Sequence, residues 1–318
     1  MASRRCLVTG GCGFIGSHLV AALLERGDSV RVLDNLSTGR RANLGAAAGA
    51  VELVEGDLRD LDTVRRAVDG MDYVLHQAAL ASVPRSVAAP IPTHEADATG
   101  TLHVLVAARD AGVRRVLYAG SSSAYGDAPT LPKEEEMRAR PLSPYAVAKL
   151  AGEHYCAAFA RSYGLETVTL RYFNIFGPRQ DPASQYAAVV PRFITAMLAG
   201  EPPTIYGDGT QSRDFTYVDN AVQANLLALE APPAASGESI NVACGKRYSL
   251  LDLVAALNEI LGTDIAPRHD PRRPGDVLHS LASIEKAERL LGYRPVVDFH
   301  EGLRRTAAWY QAGMPART

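Results

Sequence analysis

Short apolar runs alternate with helically periodic segments through the first half of the chain. Residues 5–9, 29–33, 51–53, 73–77, 115–119 and 166–172 carry the near-continuous apolar pattern of buried strands. Residues 17–26, 61–68, 99–111 and 144–163 repeat their apolar positions at helical spacing. Regular alternation of the two predicts an α/β fold with a doubly wound parallel sheet. After Asn174 the pattern changes to loops and short elements. It predicts a helix over 190–198, a turn over 205–209, a strand over 213–218 and a helix over 220–230. A Pro/Ala/Ser loop over 231–237 follows, then helices over 251–261 and 284–291.

The first strand runs into Gly10-Gly11-Cys12-Gly13-Phe14-Ile15-Gly16, then a helix, a second strand and Asp34. Glycines at 10, 13 and 16 permit a tight turn, close approach of a pyrophosphate and tight helix packing. The helix N-terminus supplies N–H groups and the positive dipole end. Asp34 stands where a carboxylate accepts hydrogen bonds from an adenosine ribose, which favours NAD over NADP. Arg40 and Arg41 nearby weaken that preference. A Rossmann domain over 1–173 is therefore expected, with 211–236 returning to it. A smaller C-terminal substrate-binding lid is expected from 174–210 and 237–318. Gly10, Asp34, Asp57, Gln77 and Ser121 all fall at strand carboxyl ends, where doubly wound sheets bind ligands.

Ser121, Ser122 and Ser123 follow the fifth strand, and Tyr145 and Lys149 lie further on, one helical turn apart. Ser143 and Pro144 read as N-cap and first helical residue, which puts Tyr145 in the first turn. A lysine one turn from a phenol is expected to lower the phenol's pKa toward that of a general base, and a serine could bond the same substrate oxygen. A surface tyrosine and a solvated lysine would give the same spacing; the serines and the glycine loop favour the catalytic reading.

Composition narrows the field without redirecting it. Hydrophobic residues make up 47%, and the formal net charge of −2 gives no basic field for nucleic acid. No apolar run is long enough for a membrane span. The start, MASRRCLVTGG, enters a strand directly, so no signal peptide is expected. Cys6, Cys12, Cys156 and Cys244 lack metal or disulfide spacing, so a reduced, cytoplasmic protein without metal is expected. Arg179, Arg213, Arg272 and Arg273 lie in loops or at element ends and would suit a phosphorylated ligand.

Taken together, these residues resemble the extended short-chain dehydrogenase/reductase superfamily, and within it the NAD-dependent UDP-sugar 4-epimerases. The motifs that carry the resemblance are Thr9–Gly16, Asp34-Asn35-Leu36-Ser37, Gly56-Asp57-Leu58, Ser121–Gly126, Ser143-Pro144-Tyr145 with Lys149, and Arg171-Tyr172-Phe173-Asn174. Gly177-Pro178-Arg179, Ser212-Arg213-Asp214-Phe215 and Arg273-Pro274-Gly275-Asp276 extend it. It implies that Tyr145 is the base, that Lys149 holds the nicotinamide ribose, and that one of the three serines assists, with Ser121 favoured by its distance from Tyr125. It implies NAD contacts at Gly10, Gly13, Phe14, Ile15, Gly16, Asp34, Asn35, Ser37 and Gly39. Asp57, Leu58, Gln77, Ala78, Ala79, Lys149 and Tyr172 would complete them. Sugar-nucleotide contacts are implied at Ser82, Arg85, Ser121, Tyr145, Asn174, Ala188 and Val189. Arg192, Thr204, Tyr206, Arg213, Arg273 and Asp276 are further candidates. Two positions depart from the family pattern: Asp97 stands where an asparagine is common, and Ser280 where a bulky tyrosine can narrow the sugar pocket.

The activity implied is C4 epimerisation through a 4-keto intermediate. Candidate pairs are UDP-glucose/galactose, UDP-GlcNAc/GalNAc and UDP-glucuronate/galacturonate. An NDP-sugar 4,6-dehydratase is the nearest alternative, but Ser122 and Ser123 occupy the places where that chemistry uses an Asp–Glu pair. A non-catalytic NAD- or sugar-nucleotide-binding protein is the second. Apolar residues on more than one face of 99–111 and 144–163, including Leu102, Val106, Leu150 and Phe159, suggest a homodimer. In the related enzymes these helices form a four-helix bundle.

Overall fold

The computed structural model describes residues 3–182, 188–272 and 278–313. Six parallel strands follow the predicted order: β1 (Arg5–Thr9), β2 (Ser29–Asp34), β3 (Glu52–Glu55), β4 (Tyr73–His76), β5 (Arg115–Ser121) and β6 (Glu166–Tyr172). A seventh, Glu238–Val242, pairs in parallel with β6 and closes the sheet order Glu238–Val242, β6, β5, β4, β1, β2, β3. The lid expected over 237–318 therefore does not include this strand, which belongs to the sheet. The helix Glu285–Leu291 also leaves the lid, since Ala287 and Leu291 join the core on one sheet face.

Period-two alternation feeds two cores. Cys6 and Val8 of β1 face α1 (Phe14–Glu25) and the helix Val218–Leu229. Leu7, between them, faces α2 (Leu61–Val68) and the helices Gly100–Asp110 and Pro144–Tyr163. A strand with both faces covered reads as continuously apolar, which explains the sequence pattern. A third core, with Phe193, Ile205, Phe215, Leu257, Phe299 and Leu303, lies among the later segments.

The other differences are local. The strand expected over 213–218 is two short strands, Ser212–Arg213 and Thr216–Tyr217, and Val218 already begins a helix. The turn expected over 205–209 contains the strand Thr204–Tyr206, paired with Arg268–Asp270. Phe299–Gly313 is a helix absent from the sequence reading. The register places the carboxyl ends of the strands along one edge: Thr9 opposite Leu33 and His76, and Ser121 opposite Tyr172, itself opposite Val242.

Candidate active site

Pro144–Tyr163 begins as its sequence requires. The Ser143 side chain caps it by accepting the Ala146 N–H at 3.2 Å, and Pro144 fills the first turn. Gly164, left-handed at φ 69°, ends it. Tyr145 is therefore fixed one turn from Lys149, beside the end of β5. Of the three candidate serines, Ser121 is the one whose side chain acts on the Tyr145 phenol, drawing its pKa down. Its hydroxyl also accepts the Ser123 N–H at 3.2 Å. Ser122 and Ser123 start the short 3-10 turn Ser122–Tyr125.

Lys149 is 4% exposed; its ammonium donates to the Ala119 carbonyl at 3.0 Å and lies 5.0 Å from the Tyr118 ring centre. Two of its three donors remain for a ligand. The electrostatics of Tyr145 differ from expectation. Burial, then the Asp97 carboxylate, push its phenol up to about 12, and the Ser121 side chain opposes them. Desolvation is the largest cause, because a buried phenolate loses its solvation by water. Beneath the site, His76 bonds Thr9 at 2.7 Å and Thr101 at 3.0 Å, and burial holds it neutral, down to about 3.

The glycine loop passes a steric test for a dinucleotide. A Cβ on Gly16 would run into the Gly10 carbonyl oxygen, and one on Gly10, at φ 69°, would come within 2.7 Å of the Ala78 Cα. Only glycines fit, and no side chain caps α1, so the first-turn N–H groups of Phe14, Ile15 and Gly16 remain for phosphate. Asp34 accepts the Cys12 N–H at 2.9 Å and the Leu36 N–H at 2.8 Å, which leaves about two of a carboxylate's four acceptor positions. Gly39 packs directly on that carboxylate. Arg40 pairs with Asp181 and Arg41 with Glu55, so both cations that had favoured a 2′-phosphate are engaged elsewhere.

The remaining cofactor candidates divide. Asn35 donates to Asp57 at 2.8 Å and accepts from Ser37, while Arg59 holds the Asp57 carboxyl far below the usual range. Leu58 packs against Gly100, and Ala78 donates its N–H to Thr9 at 3.3 Å. Ala79 stays half-buried beside them. Gln77 and Tyr172, by contrast, bond each other at 3.2 Å, and both bond Asn225. Their polar ends are therefore engaged with each other and with Asn225. Asn225 went unnoticed in the sequence because it lies in an ordinary amphipathic helix.

Among the substrate candidates, Ser82 caps the helix Val83–Ala88 by accepting the Arg85 N–H at 3.2 Å. Asn174, at φ 40°, donates to the Asp214 carbonyl at 3.1 Å, and Arg213 donates to the Ser212 and Leu278 carbonyls. Arg192 lies 6.0 Å from the ring centre of Tyr206, and Thr204 accepts from Arg268 at 3.1 Å. Ala188 and Val189 open the helix Val189–Leu198. Arg273 and Asp276 lie outside the described residues. Asp214, noted only within a motif, anchors this half: its carboxylate accepts N–H groups of Cys244, Gly245 and Ala282, and burial pushes it up to about 7.

A glycine cradle, an acid at the second strand and a Ser–Tyr–Lys group at the fifth define an NAD-dependent enzyme of the dehydrogenase/reductase type. The profile of the NAD dependent epimerase/dehydratase family matches residues 6–243, and the chain belongs to that family. Over 311 residues it is 39% identical to the UDP-glucose 4-epimerase of Mycolicibacterium smegmatis, covering 96% of this chain and 98% of that one. The UDP-N-acetylglucosamine 4-epimerase of Methanobrevibacter ruminantium M1, solved with UDP-N-acetylmuramic acid, superposes with a TM-score of 0.94 at 42% identity, over 99% and 100% of the two chains. The UDP-glucuronic acid 4-epimerase of Bacillus cereus, solved with UDP-glucuronic acid and NAD, gives 0.90 at 32% identity, over 98% and 100%. NAD is the cofactor of the family. Among the described residues no helix is long and apolar enough to cross a membrane.

Proposed function

We propose that this chain interconverts the C4 epimers of a UDP-sugar through a transient 4-keto intermediate. The observation that carries this reading is Tyr145 one helical turn from Lys149, whose ammonium bonds the Ala119 carbonyl near the end of β5, in a chain whose β1 runs into a glycine cradle. Tyr145, as phenolate, takes the proton from the sugar O4 and later returns it. Ser121, whose side chain draws the phenol pKa down, shares that proton, and Lys149 keeps donors for the nicotinamide ribose. NAD, when bound, would supply the hydride acceptor and donor for C4, so the net reaction is redox-neutral. Gly10, Gly13, Gly16, Asp34 and the Asn35–Asp57 pair would hold it. Ser122 and Ser123 cannot supply the acid and base needed to lose water across C5–C6, which argues against the dehydratase.

For the sugar, the reading keeps UDP-glucose, UDP-N-acetylglucosamine and UDP-glucuronate. Arg192 sits in the first turn of its helix, where the dipole disfavours a cation by roughly 0.3–1 kcal/mol, so an anion in front of it is favoured. That anion is the diphosphate or a C6 carboxylate. The experiment compares Arg192→Met with wild type on all three substrates. A selective loss on the uronate assigns the carboxylate, an equal loss assigns the diphosphate, and no loss removes Arg192 from the site.

The same reading includes a homodimer in the cytoplasm, with UDP-sugar as the small-molecule partner and all four cysteines as free thiols. Phe159 is only 6% exposed and is used within the core, so it cannot be a contact. The apolar surface comes instead from Val147 and Tyr155 on the helix Pro144–Tyr163 and from Val87 and Ile91 on the short helices packed against it. Light scattering should give the mass of a dimer, and Val147→Glu with Ile91→Glu should shift it to the monomer. A wild-type monomer at all concentrations would refute the dimer.

A further inference from the structure

Two segments distant in sequence meet at the glycine loop. From one side, Arg40 donates its backbone N–H to the Cys12 carbonyl at 2.9 Å, and the Asn43 amide donates to the same carbonyl at 2.8 Å. From the other, the loop 177–181 packs on the start of α1. A Cβ on Gly177 would lie 3.5 Å from the Phe14 ring, and the Pro178 carbonyl bonds the His18 Nε2 at 3.0 Å. The two segments are also joined to each other, because the Arg40 guanidinium pairs with the Asp181 carboxylate at 2.7 Å. Cys12, Arg40, Asp181, Gly177 and Phe14 thus close a circuit of contacts at the cradle. Its outer side is propped by the C-terminal helix, where the Tyr310 hydroxyl donates to the Gln180 carbonyl.

Arg179 lies within that loop at φ 67°, a left-handed conformation that a residue other than glycine keeps only where its surroundings impose it. Its Nη1 is buried with no hydrogen-bond partner. Burial is what shifts its pKa, downward. Burial, and after it the Arg179 charge, lower the pKa of His18 on α1. A guanidinium nitrogen enclosed without an acceptor is costly, and the start of α1 beside it has no side-chain cap. An anion placed there would satisfy both.

We propose that Arg40 and Asp181 form a clasp across the cradle that retains NAD between turnovers, with Arg179 beneath it as a cation for the NAD pyrophosphate. The proposal rests on the glycine loop holding NAD, and not on the reaction at the sugar. The first-turn N–H groups of α1 would meet the pyrophosphate from one side and the Arg179 guanidinium from the other. Release then requires the Arg40–Asp181 contact to open. A redox-neutral enzyme regenerates its cofactor in each cycle, so slow exchange of NAD does not limit its turnover.

The test follows NAD release from the protein loaded with NAD. The complex is diluted into excess ADP-ribose and gel-filtered at timed intervals, and the NAD left on the protein is measured by chromatography after denaturation. Asp181→Asn and Arg40→Gln should each release NAD about two- to fivefold faster than wild type, the range of an exposed ion pair. Arg40→Asp with Asp181→Arg exchanges the charges and should return release toward the wild-type rate. Arg179→Met should speed release about tenfold or more, as for a lost hydrogen bond to a charged group, and Arg179→Lys should lie between it and wild type. Far-UV circular dichroism of every variant should match wild type. Single variants that release NAD at the wild-type rate, or an exchanged pair no slower than the singles, overturn the clasp. Unchanged release in Arg179→Met overturns the pyrophosphate contact. No readout depends on turnover, so a protein without epimerase activity would count against the proposed function while the release rates still decide the clasp.

Discussion

Replacing Tyr145 with phenylalanine is expected to lower turnover about 10²–10⁴-fold while the fold and the NAD content stay as in wild type. The substitution removes one oxygen, the one that burial, and after it the Asp97 carboxylate, hold protonated. Ser121→Ala should cost less, since it takes away a partner of the proton and not its carrier. The measurement is steady-state epimerisation beside far-UV circular dichroism and the nucleotide released on denaturation. Near-wild-type turnover in Tyr145→Phe would remove the acid/base assignment.

The second large effect is on stability. Arg171 of β6 and Glu153 of the helix Pro144–Tyr163 form a buried pair, each side chain under a tenth exposed at 6% and 7%. Arg171 also donates to the Tyr125 hydroxyl at 2.7 Å, which in turn donates to Asn241 of the edge strand at 2.7 Å. Arg171→Met leaves the Glu153 carboxylate buried without its cation, at an expected cost of about 3–5 kcal/mol in denaturant unfolding. Arg171→Met with Glu153→Leu should recover most of that loss, because the unpaired charge is what destabilises. A double variant no better than the single one would show that the hydrogen bonds to Tyr125 and the Glu135 carbonyl matter more than the pair.

Much of this architecture was legible because buried parallel strands write themselves as apolar runs, and six of the seven did so. The seventh, Glu238-Ser239-Ile240-Asn241-Val242, did not. Its Asn241 is fully buried, yet reads as polar because its amide is satisfied by the Tyr125 hydroxyl and by the Lys133 and Ser283 carbonyls. The helix Phe299–Gly313 was hidden in a similar way. Its buried face runs Phe299, Gly302, Leu303, Thr306, Ala307, Tyr310, a helical spacing in which a glycine and a threonine hold core positions. Gly302 is required there because a Cβ would meet Phe176 and Tyr217.

The site was legible in its parts but not in its electrostatics. The spacing of Tyr145 and Lys149 puts them on one face, and the triple serine leaves the assisting residue open, with Ser121 the one whose side chain draws the phenol pKa down. The expected lowering of the phenol pKa failed because desolvation depends on what covers a residue, and a one-dimensional pattern does not carry that. Gln77, at a strand end, and Tyr172, implied by the resemblance, are expected ligand contacts; their side chains bond each other and Asn225, a partner distant in sequence that no local pattern shows.

The central claim is a redox-neutral epimerisation with retained NAD. The direct measurement is incubation of the purified protein, without added cofactor, with UDP-glucose, UDP-N-acetylglucosamine and UDP-glucuronate in turn. C4 epimers are followed by chromatography and NADH by absorbance. The account predicts that at least one substrate approaches an equilibrium mixture of C4 epimers with no accumulation of NADH. A dehydrated 4-keto-6-deoxy product, stoichiometric NADH dependent on added NAD, or no conversion of any of the three would contradict it.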